Sequence, residues 1–509
     1  MSSSPVIRCG AAVRTHAAVR TRAARLAAAL AQKGLAHGDR YAIVMRNEIA
    51  FVEATLAGAA IGAVPVPVNW HWTGDDLEYL LADSGSKVVL VHTDLLPAVE
   101  AVLPVGVTVV EVAVPPEVAD VYGFPAPQLT GRHPDVEGLI RDSEPITSPV
   151  TDPPLGVIYT SGTTGRPKGI LRQPVADENS ARLADMVVEG FAFDPSMSTL
   201  VPAPLYHTAP NTHAVFAVAL GMDLDIMPRF DAEDLLRLVQ DRRIEHVQMV
   251  PTMFVRLLKL PPHVRNRYDL SSLKSIVHAA APCPQEVKRA LIDWLGPIVH
   301  EYYGGSETGA AVACTSEEWL HHPGTVGRPF GDVDVKILGD EGEELPAGVV
   351  GDIYIKPFTV WPDFTYLGND AKRRDMERDG FLSVGDLGYL DADGYLYLSD
   401  RRNDMVISGG VNIYPAEVEA CIIGIDGVHD VAVFGIPDQE FGEALAAHIE
   451  LAPGATLGDE DVRAHVDRHL AKYKIPKVIV FDETLPREDT GKLFKRRLKE
   501  PYWKARVDA

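Results

Sequence analysis

Two apolar rhythms alternate along the first half of the chain. ARLAAALAQKGL (24–35) repeats its apolar positions at helical spacing and stops near Gly34, with Lys33 in its last turn. YAIVM (41–45) is a short unbroken apolar run and reads as a strand; FVEATLAGAAIGA (51–63) is helical again. VPVPVN (64–69) is extended, DDLEYLLADSG (75–85) helical and KVVLVH (87–92) a strand. The same alternation resumes beyond 155, with strands predicted at PLGVIY (154–159), EHVQMV (245–250) and LKSIVHA (273–279) and helices at TMFVRLLKL (252–260) and PQEVKRALIDWL (284–295). Short apolar runs separated by amphipathic helices predict mostly parallel sheets with helices packed on them, an α/β fold.

Between these stretches, residues 112–153 are rich in proline and acid and are expected to form loops joining two doubly wound α/β lobes. From about 330 the pattern changes to period two. DVDVKILGDEGEELPAGVVGDIYIK (332–356) and GYLDADGYLYLSD (388–400) read as hairpins of a β-rich subdomain. A compact α+β module follows. The expected domains are 1–400, a hinge at 401–403, and a small mobile module at 404–509. No internal repeat is present.

A chain of 509 residues exceeds one hydrophobic core, and 46% apolar residues suffice for several. A net charge of −23 disfavours a general nucleic-acid or anionic-membrane surface but allows an anion in a local basic pocket. Four cysteines, Cys9, Cys283, Cys314 and Cys421, lack CxxC spacing, which fits a reduced cytoplasmic setting with neither a disulfide framework nor a zinc site. The start has no signal-peptide run and no segment reaches transmembrane length, so no integral membrane association is expected. His321 and His322 read as turn or surface residues, and no histidine metal spacing stands out.

The chemistry concentrates in YTSGTTGRPKGI (159–170). Ser161, Thr163 and Thr164 offer rotatable hydroxyls, Gly162 and Gly165 allow close backbone approach, and Lys168 adds a point charge. That composition suits a polyphosphate cradle, though not of the Walker form, because Gly169 follows Lys168. In isolation such a loop is equally a surface turn.

Four further stretches stand in order behind it: EYYGGSETG (301–309), VGDLGYLDADGYLYLSDRRNDMVISGG (384–410), NIYPAEVE (412–419) and PREDTGKLFKRRL (486–498). Together with the opening loop, over nearly the whole chain, they resemble the AMP-forming, adenylate-forming enzyme superfamily in its acyl-CoA synthetase branch. The resemblance implies ATP, Mg2+ and CoA as the small molecules used. It implies a phosphate loop over residues 160–168 (Thr160, Ser161, Gly162, Thr163, Thr164, Gly165, Lys168). Tyr303 would stack on adenine beside Gly304 and Ala281, with Ser306 in place of the more usual threonine. Glu307 with Thr160 would reach the metal, and Asp386 and Arg401 the ribose. Lys492 would bridge the acyl carboxylate and the α-phosphate. Read alone, Lys492 is a solvated charge, Glu307 a surface carboxylate and Asp386 a turn residue; their common register gives them roles.

By the same resemblance His207 closes the acid pocket, Asn403 is a hinge where relatives usually carry Asp or Lys, and Ser408, Gly409 and Gly410 face pantetheine. The region before the first helix is shorter than in most relatives, which affects a peripheral element. The acid pocket expected from Tyr206, Ala209, Val277, Ala279, Ala280, Tyr302 and Gly305 is apolar or small. No aspartate stands in PLYHTAPNTHAVF (204–216) for an amino-acid ammonium, and no basic residue for a second carboxylate. A hydrophobic monocarboxylic acid of fatty, aryl-alkanoic or steroid side-chain type is expected. The expected reaction is acyl-AMP formation followed by acyl transfer to CoA, with transfer to a carrier-protein thiol or an amine as the alternative. A P-loop NTPase releasing ADP and a non-catalytic nucleotide-binding module are the competing classes. No nucleic-acid partner is expected, and a homodimer is admitted.

Overall fold

The computed structural model describes residues 4–148, 150, 155–160, 167–402, 404–408, 411–487 and 493–507. Ser161, Gly162, Thr163, Thr164, Gly165, Asn403, Gly409, Gly410 and Lys492 lie outside the described residues, as does the side chain of Thr160.

The fold is mixed α/β, with a large N-terminal domain and a small C-terminal one. The first lobe holds a four-stranded parallel sheet in the order Val64–Pro67, Arg40–Val44, Val88–His92, Thr108–Val112. Its strands are apolar on both faces because helices cover both, as parallel sheets require. The second lobe is built on a nine-stranded sheet. Thr199–Val201, His246–Met249, Ser275–His278 and Val299–Tyr303 run parallel at its centre; Val312–Cys314, Arg328–Pro329 and the N-terminal Ala12–Thr15 add antiparallel edges. The hairpins read at 332–356 and 388–400 pair antiparallel, Asp334–Leu338 with Gly351–Lys356 and Asp386–Leu390 with Leu396–Arg401. The C-terminal sheet is drawn from Val406–Ser408, Val411–Ile413, Val428–Asp438, Gly442–Leu451 and Val478–Asp482, flanked by helices Pro415–Ile423, Asp459–His469 and Lys495–Val507.

Three local expectations change. The first helix begins at His16, capped by the Thr15 hydroxyl, because the arginines of HAAVRTRA leave an apolar stripe on the other side. Residues 112–153 are not all loop: Pro116–Tyr122 and Val136–Asp142 are helices, each too short to show periodicity. The strand Val157–Thr160 does not join a parallel sheet. It forms an antiparallel hairpin with Lys168–Arg172, extended by Phe364–Tyr366. Among the described residues no helix is long and apolar enough to cross a membrane.

Candidate active site

The parallel strands Ser275–His278 and Val299–Tyr303 end side by side, and the segments leaving their carboxyl ends, 279–281 and 304–309, reach one cavity, where open α/β sheets place ligands. Both segments are backbone-constrained. Ala280 has φ +73°, a left-handed conformation costly for a side chain with a Cβ. A Cβ on Gly304 would lie 1.8 Å from the Gly309 carbonyl oxygen, so only glycine fits. The turn is closed by the Gly305 N–H donating to Thr308 Oγ1 at 2.9 Å and the Gly309 N–H donating to the Gly305 carbonyl at 3.0 Å. Ser306 Oγ lies 2.9 Å from Thr208 Oγ1, tying the turn to helix Thr208–Leu220. Beneath it, buried Lys288 donates to buried Glu301 at 2.6 Å and joins helix Gln285–Leu295 to the strand carrying Tyr302 and Tyr303. Removing one member would leave an unpaired buried charge, at a cost of about 3–5 kcal/mol.

The polar end of the cavity gathers residues distant in sequence. The Tyr303 hydroxyl donates to Asp386 Oδ2 at 2.8 Å, and Arg401 Nε lies 3.3 Å from Asp386 Oδ1. Asp386 and Arg401 face each other across their hairpin, so strand register brings them together. Burial and then the Asp386 carboxylate push the Tyr303 phenol well above its ordinary range. Glu307 Oε1 accepts from the Tyr366 hydroxyl at 2.8 Å, and the Trp361 indole N–H donates to the Glu307 carbonyl at 3.3 Å. Arg172 stacks 4.7 Å from the Trp361 ring, and burial lowers its pKa to about 10 against the opposing effect of Glu307. Lys168 stands opposite Thr160 at the mouth of the hairpin and lines the cavity, as does Lys372.

The other end is apolar, with Met186, Phe191, Ala209, Met249, Val250 and Ala310 in a cavity of about 540 Å³ overall. Tyr206, Ala279, Ala280, Tyr302 and Gly305 line it as expected; Val277 is instead buried in the core behind it. His207 lies at the N-cap of helix Thr208–Leu220, its ring 4.4 Å from that of Tyr206. One polar device was not read from the sequence: buried Gln248, which donates to the Tyr302 hydroxyl at 3.2 Å. Its place on a strand in an apolar run gave no signal beyond being the one amide in EHVQMV.

A larger cleft of about 1020 Å³ opens beside this cavity. Ala281, Tyr303, Gly304, Asp386 and Arg401 line it from the large domain, and Leu493, Phe494 and Lys495 from the C-terminal one. Lys495 is committed there, its Nζ 2.9 Å from Glu419. Burial opposes its charge, but Glu419, Asp400 and Asp404 outweigh it and raise the pKa. Within the expected hinge 401–403, Arg402 is held to the large domain by Asp352 at 2.5 Å and Asp340 at 2.9 Å. Ser408 ends the strand that pairs with Gly442 on the C-terminal sheet.

Residues 4–361 match the model of AMP-binding enzymes, and residues 417–492 that of the AMP-binding enzyme C-terminal domain. The chain is 32% identical to the long-chain-fatty-acid–CoA ligase FadD13 of Mycobacterium tuberculosis, over 96% of this chain and 93% of that one. It is 33% identical to a feruloyl-CoA synthase of an Amycolatopsis species, over 97% and 95% of the two chains. Among solved structures, the amide bond synthetase McbA from Marinactinospora thermotolerans superposes with a TM-score of 0.83 at 25% identity, over 98% and 97% of the chains. The chain belongs to the AMP-binding enzymes, the AMP-forming, adenylate-forming superfamily.

Proposed function

We propose that the protein is an AMP-forming acyl-CoA synthetase acting on a hydrophobic monocarboxylic acid. The observation that carries this reading is a cavity with two unlike ends: Asp386, Arg401, Glu307 and Lys168 at one, with Tyr303 holding Asp386 from the adjoining cleft, and an apolar lining at the other. Such a cavity suits a nucleotide meeting an apolar acid.

In the first half-reaction a carboxylate oxygen of the acid attacks the α-phosphorus of ATP. The bond from that phosphorus to the β-bridging oxygen breaks and pyrophosphate leaves. Asp386 and Arg401 hold the ribose, and Tyr303 lies against the adenine. The 160–168 loop with Lys168 takes the β- and γ-phosphates. Lys492 bridges the two approaching anions, the type of preorganised charge that lowers such barriers. The Glu307 carboxylate, oriented through Oε1 by Tyr366, is a hard oxygen donor of the kind Mg2+ prefers. When bound, Mg2+ neutralises phosphate charge; Glu307 and Thr160 would hold it. In the second half-reaction the CoA thiolate attacks the acyl carbonyl carbon and AMP departs with its oxygen. For this step the C-terminal domain, taken as 404–509, turns about 401–403, and Ser408, Gly409 and Gly410 leave a narrow path for pantetheine. His207 closes the acid end between steps. A cytoplasmic setting fits these substrates.

The similarity to an amide bond synthetase favours one second reading, in which an amine takes the acyl group from the adenylate. A panel of hydrophobic acids, scored for pyrophosphate release with and without CoA or amines and followed by product mass analysis, separates the two. Stimulation by CoA with a thioester product supports the synthetase reading; an amide product with no thioester overturns it.

A further inference from the structure

Away from the cleft, three soft donors converge on the C-terminal domain. Cys421 lies in helix Pro415–Ile423, and His465 and His469 stand one turn apart in helix Asp459–His469 packed beside it. The thiol sulfur and one nitrogen of each imidazole all lie within 4.8 Å of one another. Tetrahedral zinc, with Zn–S about 2.3 Å and Zn–N about 2.0–2.1 Å, needs its donors roughly 3.3–3.6 Å apart. Small side-chain rotations close that difference.

The second layer is already in place. His469 Nδ1 donates to the His465 carbonyl at 2.8 Å, which fixes the tautomer and leaves the lone pair of Nε2 as the donor for a metal. The two rings lie 4.3 Å apart and tilted, not flat on each other. Acids surround the thiol from both domains. Glu417 is on its own helix; Glu286 belongs to the large domain, its Oε2 3.8 Å from where a Cβ on Gly424 would stand. A second group, His322 with Asp391 and Asp393, differs: Asp391 is spent on the His322 ring, two backbone N–H groups and the Tyr397 hydroxyl.

We propose that Cys421, His465 and His469 form a binding site for a borderline-soft divalent transition metal, Zn2+ foremost, with a fourth position open to solvent. The donor set selects against Mg2+ and Ca2+, which take oxygen ligands. Sequence reading passed over it because the H-x3-H pair at 465 and 469 has its third ligand 44 residues upstream, joined only by the packing of two helices.

The test uses the full-length, reduced, chelator-treated protein and Co2+ as a spectroscopic probe. One Co2+ per chain should bind with release of protons, giving near-ultraviolet thiolate-to-metal charge transfer and visible bands of tetrahedral type, and Zn2+ should displace it with loss of those bands. Cys421→Ser should abolish the charge-transfer band, and His469→Ala should weaken binding by about 10–100-fold or more. His469 is exposed and Cys421 half-buried, so both variants should keep the wild-type melting curve measured without metal. No thiolate band in the wild type, a band that persists in Cys421→Ser, or unchanged affinity in His469→Ala would overturn the assignment.

Discussion

The two ends of the cavity are built on different physics. At the end proposed for the nucleotide, position is set by charged hydrogen bonds and by backbone that tolerates no alternative: Tyr303 on Asp386, Asp386 on Arg401, Tyr366 on Glu307, and Gly304 against Gly309. At the acid end, position is set by packing. Met186, Phe191, Met249 and Val250 supply apolar surface, and the Gln248–Tyr302 pair adds direction. Directional contacts demand particular residue types at particular registers. Packing accepts any side chain of suitable volume. A common nucleotide and variable acids would require this division.

The comparison can be broken hardest at Lys492. Lys492→Ala should lower acid-dependent pyrophosphate exchange by about 10²–10³-fold, the cost of one transition-state donor at about 2.7–4 kcal/mol. The same variant, given synthetic acyl-AMP, should still form thioester, since the acid end and the CoA step are untouched. Equal loss of both half-reactions in a folded variant would make Lys492 structural.

Gly304→Ala comes next. The added methyl would overlap the Gly309 carbonyl, so the 304–309 turn must shift, and displacement of about 1 Å can cost about 100-fold in rate. Adenylation kinetics beside a melting curve check it: activity should fall far more than stability. Asp386→Ala should follow, raising the KM for ATP by about 10–100-fold, in line with roughly 1.5–3 kcal/mol for hydrogen bonds to a charged group, with little change in the KM for the acid. A rise confined to the acid KM would invert the division of the cavity.

The smallest effect sharpens the other side. Gln248→Leu removes one buried polar group from a mostly apolar lining. It should shift the kcat/KM ratio from hydroxylated toward purely alkyl or aryl acids by several-fold, about 1 kcal/mol, while leaving the KM for ATP unchanged. A change in ATP use alone would show that Gln248 does not meet the acid.

Legibility in the sequence follows the same division. Tyr303, Glu307, Asp386 and Arg401 were singled out by the common register of several motifs, and the fold brings them close together at the cavity and the adjoining cleft; each alone would have passed for a surface or turn residue. The parallel strands at 41–45, 64–69, 87–92 and 245–250 were readable as short apolar runs. Gln248 was not, since a single amide in an apolar strand has no period or partner in sequence. Lys288 was equally silent; its pairing with Glu301 exists only once helix and strand are packed. Val277 was misplaced into the lining because alternation along a fully buried strand does not say which buried face meets a cavity and which meets core. In KLFKRRLK, spacing did not separate Lys492 from Lys495; the fold ties Lys495 to Glu419.

The most direct measurement follows oxygen. With the acid labelled by 18O in both carboxylate positions, turnover with ATP and CoA should place one labelled oxygen in each AMP released, in step with one acyl-CoA formed. Attack of the carboxylate on the α-phosphorus, then departure of AMP from the acyl carbon, requires that transfer. AMP free of label, or ADP and phosphate in place of AMP and pyrophosphate, would contradict the account.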